Sequence, residues 1–286
     1  MVLKIILFTI VAGVGGTGIG GILGSLVKKN SLKAMSLLLS FAGGIMLSVV
    51  CFDLFPESIA NAQNYFQKFS NFEAWGVVFT VLIVMIGVAV IFVLNYFIDR
   101  HSEKKNNHYD ETHPKTADDL DEITHSKTLI KELNEKSSTR QLMNAGLVMV
   151  IAIALHNFPE GLSIGASYAS EVNSGIILAI IIAIHNIPEG MAIVAPLICG
   201  GMKKGKAIFL TALSGAPTII GALVGYSIGE MGAIGLSISL ALASGAMVYV
   251  VFGEIIPQAF LMYRSKLPTF FIILGVLMGV ILIYVI

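Results

Sequence analysis

Two copies of one hexapeptide, His-Asn-x-Pro-Glu-Gly, carry the chemistry of this sequence. The first copy begins at His156 and the second at His185. Within each copy the histidine and the glutamate are four residues apart, and a helix places residues at that spacing on one face. The first copy therefore directs an imidazole and a carboxylate, from His156 and Glu160, toward one point. The second copy does the same with His185 and Glu189.

These residue types predict a divalent cation as the ligand. Imidazole, carboxylate and amide oxygen together suit Zn²⁺, Fe²⁺, Mn²⁺, Co²⁺ or Cd²⁺. Both hexapeptides lie in long apolar segments, where polar side chains are costly and usually functional. The alternative is a pair of hydrogen bonds that hold two helices together, which leaves the repeated proline unexplained.

The proline of each hexapeptide predicts a break in its helix. Proline lacks an N–H and clashes with the carbonyl four residues back, so Pro159 and Pro188 should free the carbonyls of Leu155 and Ile184. We expect both helices to kink there and to leave room for an ion with its waters. Lipid tolerates such breaks only where the backbone lines a cavity.

Eight apolar segments position the hexapeptides, which predicts an all-α polytopic membrane protein. The chain is 56% hydrophobic and only 13% charged, too few charges to cover a soluble domain of this size. Its apolar residues fall into runs of about 20 residues, the length that crosses a bilayer. The expected spans, one to eight, are Leu3–Val27, Leu37–Pro56, Trp75–Phe97, Leu142–Tyr168, Ile176–Leu197, Ile208–Ile228, Ile234–Pro257 and Thr269–Ile286.

The spans form one membrane domain with a single long polar insertion. Residues 1–98 hold spans one to three, 99–141 form a loop, and 142–286 hold spans four to eight. Of the 18 lysines and arginines, 16 fall in alternate loops, the long loop included. Basic loops face the cytosol, so we expect a multi-pass protein of the cell membrane with both termini outside.

Spans two and seven contain an internal repeat. Six residues of Phe41–Ser58 recur 201 positions later, and Asp53 is replaced there by Glu254. Because the two spans cross the membrane in opposite directions, we expect an inverted repeat of helices 1–3 and 6–8 around helices 4–5. Inverted repeats around a central site are typical of transporters.

Together these features resemble the ZIP (zinc/iron permease) family of divalent metal importers, in a bacterial-type member. The resemblance rests on the paired hexapeptides, eight spans, outward termini and the long cytosolic loop after span three. It implies a primary metal site of His156, Glu160 and Glu189, with Met46 of span two nearby and His185 as a further ligand. It also implies a homodimer, and a bundle of spans one, four, five and six that moves against the rest.

The resemblance implies a second metal as well, bridged by the two glutamates and served by Asn157 and Asn186. Some relatives add a glutamate directly before a proline in span six. This chain has Ala216-Pro217 at that point, so that ligand is missing.

Three further acids mark a predicted pathway. Asp53 lies two helical turns from Met46 toward the outside, and Glu57 lies one turn further. We interpret Asp53 as an entrance group, Glu57 as weaker support, and Glu254 as the matching exit group on the cytosolic side. For Glu57 a merely interfacial position is an equal alternative.

We predict a transporter with no enzymatic activity and no resident cofactor, which carries zinc or a related cation into the cytosol by alternating access and binds no nucleic acid. The rival is an intramembrane metalloenzyme, a protease or lipid hydrolase, with three protein ligands, an activated water and a general base. A passive channel is a third reading. The long loop, with His101, His108, His113 and His125, either captures metal or is a solvated linker.

Overall fold

The structure, a computed structural model, describes residues 2–26, 32–68, 74–105 and 138–285. In these residues it contains eight helices long and apolar enough to cross a membrane. The all-α, polytopic architecture is therefore confirmed. In chain order the helices are α1 (Val2–Leu26), α2 (Lys33–Phe66), α3 (Ala74–Lys105), α4 (Ser138–Ser170), α5 (Val172–Cys199), α6 (Lys204–Gly229), α7 (Ala233–Met262) and α8 (Leu267–Val285).

Two helices extend beyond their apolar spans into the polar stretch. The expected third span ends at Phe97, but α3 continues to Lys105. Likewise α4 begins at Ser138, before the expected fourth span starts at Leu142. A helix satisfies its own backbone hydrogen bonds and can therefore continue into water. The rest of the predicted loop, 106–137, lies outside the described residues.

Glycines bring α1 against α5, and α6 against α4, with the backbones in contact. A Cβ on Gly190 of α5 would lie 2.2 Å from the carbonyl oxygen of Thr17 in α1. A Cβ on Gly161 of α4 would lie 2.0 Å from the carbonyl oxygen of Thr218 in α6. Small residues allow this close approach in membrane proteins. Thr17 and Thr218 are 201 positions apart, so the two contacts are counterparts in the repeat.

The outer helices show the same correspondence, since α2 packs on α8 and α7 packs on α3. A Cβ on Gly44 of α2 would lie 2.2 Å from the carbonyl oxygen of Ile272. A Cβ on Gly245 of α7 would lie 2.0 Å from that of Val84. The repeat seen in the sequence therefore extends to the packing of α1–α3 and α6–α8, with α4 and α5 between them.

Matched π-helical turns interrupt α2 and α7. They span Val50–Leu54 and Val251–Ile255, which are again 201 positions apart. Each precedes a proline, Pro56 or Pro257. A π turn is a common cause of a helix bend and is frequent at functional sites. The two turns carry the predicted pathway acids Asp53 and Glu254.

The predicted interruptions at Pro159 and Pro188 were wrong, because α4 and α5 remain helical through both prolines. The kinks and the freed carbonyls of Leu155 and Ile184 stay predictions. A proline removes a single N–H donor, and each helix continues for several turns on both sides. The interruptions lie instead in their packing partners. Helix α1 has a π turn at Ile10–Gly15, and α6 stops at Ser214 and restarts at Pro217.

Candidate metal site

The two hexapeptides lie on adjacent helices, α4 and α5, and their side chains pair across the interface. His156 Nε2 lies 3.1 Å from Glu189 Oε2, and His185 Nε2 lies 2.9 Å from Glu160 Oε1. The sequence placed each histidine beside the glutamate of its own helix. In the structure each histidine pairs with the glutamate of the other helix instead. All four side chains are at most 1% exposed.

Three of these side chains converge on a space that suits one ion. Ligand atoms of His156, Glu160 and Glu189 all lie within 4.8 Å of one another, a spacing that could hold a metal ion. His185 reaches this group only through its contact with Glu160. The geometry therefore distinguishes three central ligand candidates from one at the edge.

Several polar atoms of this group lack a protein partner. They are Oε2 of Glu160, Oε1 of Glu189, and Nδ1 of both His156 and His185. Buried polar atoms are nearly always hydrogen-bonded, and unsatisfied carboxylate oxygens are expensive in a nonpolar interior. A cation between the glutamates would satisfy these oxygens and offset their charge. Nitrogen and carboxylate oxygen donors without thiolate suit zinc and the related divalent metals.

The two asparagines are fully buried beside this group. Asn157 Nδ2 donates to the carbonyl of Ser214 (3.0 Å), and Asn186 Nδ2 donates to the carbonyl of Ala12 (3.0 Å). Oδ1 of Asn186 has no hydrogen-bond partner, so it is available to a cation. Oδ1 of Asn157 accepts two long contacts of 3.4 Å, from Asn186 and Thr218.

Met46 lies fully buried in α2. It belongs to the apolar core that also contains Ala12 of α1, Ile153 of α4 and Ile182 of α5. Ile153 and Ile182 precede the hexapeptides on their own helices, and α2 packs on α5. The part of Met46 in metal binding remains a prediction.

The three pathway acids do not belong to the close group of His and Glu ligand atoms. Asp53, Glu57 and Glu254 are all half-buried. Glu254 accepts a hydrogen bond from Asn95 of α3. Sequence reasoning missed Asn95, although an amide within the apolar part of α3 was a visible signal.

The histidines of the long loop can be placed only in part. His101 falls on the helical end of α3, and His108, His113 and His125 lie outside the described residues. In span six the structure shows the helix interrupted at Ala216-Pro217, where some relatives were expected to carry a glutamate.

Comparison with known proteins gives consistent matches over the chain. The family model described as "ZIP Zinc transporter" matches residues 2–286. The "Zinc transporter ZupT" of Clostridium perfringens is 33% identical over 263 residues, which cover 90% of this chain and 87% of that protein. Proteins of the same name from Chlorobium luteolum and Streptococcus mutans are 34% and 30% identical. Those matches cover 89% and 95% of this chain, and 87% and 93% of the respective proteins.

Proposed function

The chain belongs to the ZIP family of zinc transporters, and we propose that it imports zinc or a related divalent cation into the cytosol through its paired His–Glu site. Family membership identifies a multi-pass membrane transporter of divalent metal. The metalloenzyme alternative is therefore not supported.

One observation carries the site assignment, the fully buried cross-pairing of His156 with Glu189 and of His185 with Glu160. Two carboxylates at this depth are costly without a compensating positive charge. We assign the central ligands to His156, Glu160 and Glu189, with His185 at the edge. Met46, Asn157 and Asn186 are assigned to the shell around these ligands. Oδ1 of Asn186 has no hydrogen-bond partner, so it is our candidate ligand for a second ion.

The packing of the helices supports transport by alternating access. The repeat pairs α1 with α5 and α6 with α4, while α2 pairs with α8 and α7 with α3. We assign α1, α4, α5 and α6 to the part that carries the metal, and α2, α3, α7 and α8 to a scaffold against which it moves. Of the eight described spans, those of α3 and α8 are the least buried, which supports a homodimer, and the basic loops support external termini.

The test is metal flux into sealed vesicles that contain only this protein. Purified protein is reconstituted with a zinc-sensitive dye inside, and Zn²⁺ is added outside over a range of concentrations. Saturable uptake, competed by Cd²⁺ or Fe²⁺, is expected. Uptake that rises strictly linearly with metal concentration would indicate a channel. Uptake no faster than in vesicles without protein would contradict transport altogether.

A second test concerns Asp53 and Glu254, which we propose as entrance and exit. They occupy equivalent positions in the two halves of the repeat, so they should open to opposite sides of the membrane. Single-cysteine variants at the two positions are labelled under conditions that favour each state. Labelling at 53 should rise when labelling at 254 falls. If labelling at both positions is the same in the outward-open and inward-open states, Asp53 and Glu254 have only a structural role.

A further inference from the structure

The asparagine of each hexapeptide binds the backbone of an interrupted helix. Asn157 on α4 donates to Ser214 at the break in α6, and Asn186 on α5 donates to Ala12 in the π turn of α1. The two bonds have the same length, 3.0 Å. Each asparagine thus contacts the helix that packs along its own.

The Ser214 carbonyl accepts this bond because the break leaves it without a helical donor. Three residues on, Pro217 has no N–H. Four residues on, the Thr218 amide donates to the carbonyl of Gly215 instead (3.3 Å). An unsatisfied buried carbonyl is costly, and the side chain of Asn157 supplies the missing donor.

The α1 break shows the same solution with different local geometry. In its π turn the Gly16 amide reaches back to the carbonyls of Val11 and Gly13, and Thr17 Oγ1 also donates to the Gly13 carbonyl (2.9 Å). The carbonyl of Ala12, between them, receives its side-chain bond from Asn186.

The two breaks also touch each other. A Cβ on Gly13 would lie 2.3 Å from the carbonyl oxygen of Gly215, and a Cβ on Gly215 would lie 2.3 Å from the carbonyl carbon of Gly13. Thr17 Oγ1 additionally reaches the carbonyl of Ala212 in α6 (3.4 Å). The breaks and the two asparagines therefore form one contiguous polar region in the protein interior.

We propose that Asn157 and Asn186 are positioning residues, whose amide nitrogens transmit metal occupancy to the breaks in α6 and α1. Each asparagine lies three residues before a ligand glutamate on the same helix. A shift of Glu160 or Glu189 onto a cation moves that segment, and the amide moves the bonded carbonyl with it. This role rests on the proposed His–Glu metal site and differs from that of an oxygen ligand, because it uses the nitrogen.

Substitution by aspartate separates the two roles. Asn186→Asp keeps an oxygen of the same reach but replaces the donor with an acceptor facing the carbonyl of Ala12. If Asn186 acts as a ligand, the added charge should maintain or tighten metal binding. If it acts through its nitrogen, maximal transport should fall about tenfold while KM stays within about threefold, since the ligand set is intact and one buried bond is lost.

The direct readout is hydrogen exchange of the full-length protein with and without Zn²⁺. Peptides covering 10–16 and 212–218 report the two breaks. In the wild type, Zn²⁺ should slow exchange in both. Asn186→Asp should abolish the zinc effect in 10–16 only, and Asn157→Asp should abolish it in 212–218 only. Each variant is thus the matched control for the other.

Three results would overturn the proposal. The wild type could bind Zn²⁺ without slower exchange in both peptides. Each aspartate variant could lose the zinc effect in both peptides, or keep it in both. Leucine variants at the two positions provide a second test where an aspartate variant does not fold. Leucine has neither a donor nor an acceptor. If the asparagines act as positioning residues, leucine should abolish the zinc effect in the same single peptide as aspartate does. If they act as ligands, leucine should raise KM, whereas aspartate should maintain or lower it. Failure of the wild type to bind Zn²⁺ would instead contradict the metal site.

Discussion

Glu160→Gln is the most direct test of the metal site. The substitution preserves the size of the side chain and its capacity to hydrogen-bond His185, but removes one charge. Glu160 is fully buried, so water cannot screen the loss. The side chain also has one carboxylate oxygen with no protein partner, the atom expected to face the ion.

The magnitude follows from the spacing of the ligand atoms. Because the three central ligand atoms lie within 4.8 Å of one another, a cation among them is at most about 4 Å from each. At that distance a unit charge pair is worth about 4 kcal/mol at an effective dielectric constant of about 20, or about 8 kcal/mol for a dication. Desolvation offsets much of this gain, and removal of one partner of a buried charge pair typically costs about 2–5 kcal/mol. We therefore expect KM to rise about thirtyfold or more.

The assay is zinc uptake into reconstituted vesicles, with protein amount and thermal unfolding measured in parallel. Glu230→Gln is the matched control, because Glu230 is exposed and lies at the end of α6, outside the predicted pathway. The control should keep wild-type KM. A KM for Glu160→Gln within threefold of wild type, in folded protein, would refute the assignment, and so would an equal shift in Glu230→Gln.

Three further outcomes are expected. His156→Ala should weaken equilibrium zinc binding more than His185→Ala does, because His156 belongs to the close group of ligand atoms and His185 does not. Equal losses of affinity would contradict the edge position of His185. Zinc affinity should fall as external pH is lowered from about 7.5 to 5.5, a range that brackets the reference imidazole value, since a ligand imidazole must be neutral. Constant affinity over that range would argue against histidine ligands. Gly161→Ala should lower the unfolding temperature, because the added Cβ would lie 2.0 Å from a backbone oxygen of α6. Gly205→Ala is the control and should leave the unfolding temperature unchanged, because a Cβ there has no atom within 4 Å.

Much of the architecture was readable from the sequence because it depends on local patterns. The number of spans follows from the length of apolar runs, which a bilayer imposes directly. The inverted repeat was visible in the residues shared by spans two and seven, and its packing counterpart, Gly44 and Gly245 against α8 and α3, follows the same register. The hexapeptides likewise identified the metal-binding residue types, because helical periodicity fixes the face that each residue occupies.

Tertiary structure decided which partners those residues have. His156 pairs with Glu189 of the other helix and not with its helix neighbour Glu160, because α4 and α5 pack side by side. No local rule predicts a distance between residues that are far apart in the chain. The same reason hid the bond between Asn95 and Glu254.

The positions of the helix breaks show the limit most clearly. The prolines at 159 and 188 suggested breaks in α4 and α5, yet both helices stay intact. Proline costs one hydrogen bond wherever it occurs, but whether a helix breaks depends on what its neighbours supply to the freed backbone groups. The structure instead interrupts α1 and α6, in addition to the π turns of α2 and α7. Asn186 and Asn157 reach the carbonyls of Ala12 and Ser214 at the breaks in α1 and α6, and only the packed structure brings those atoms together.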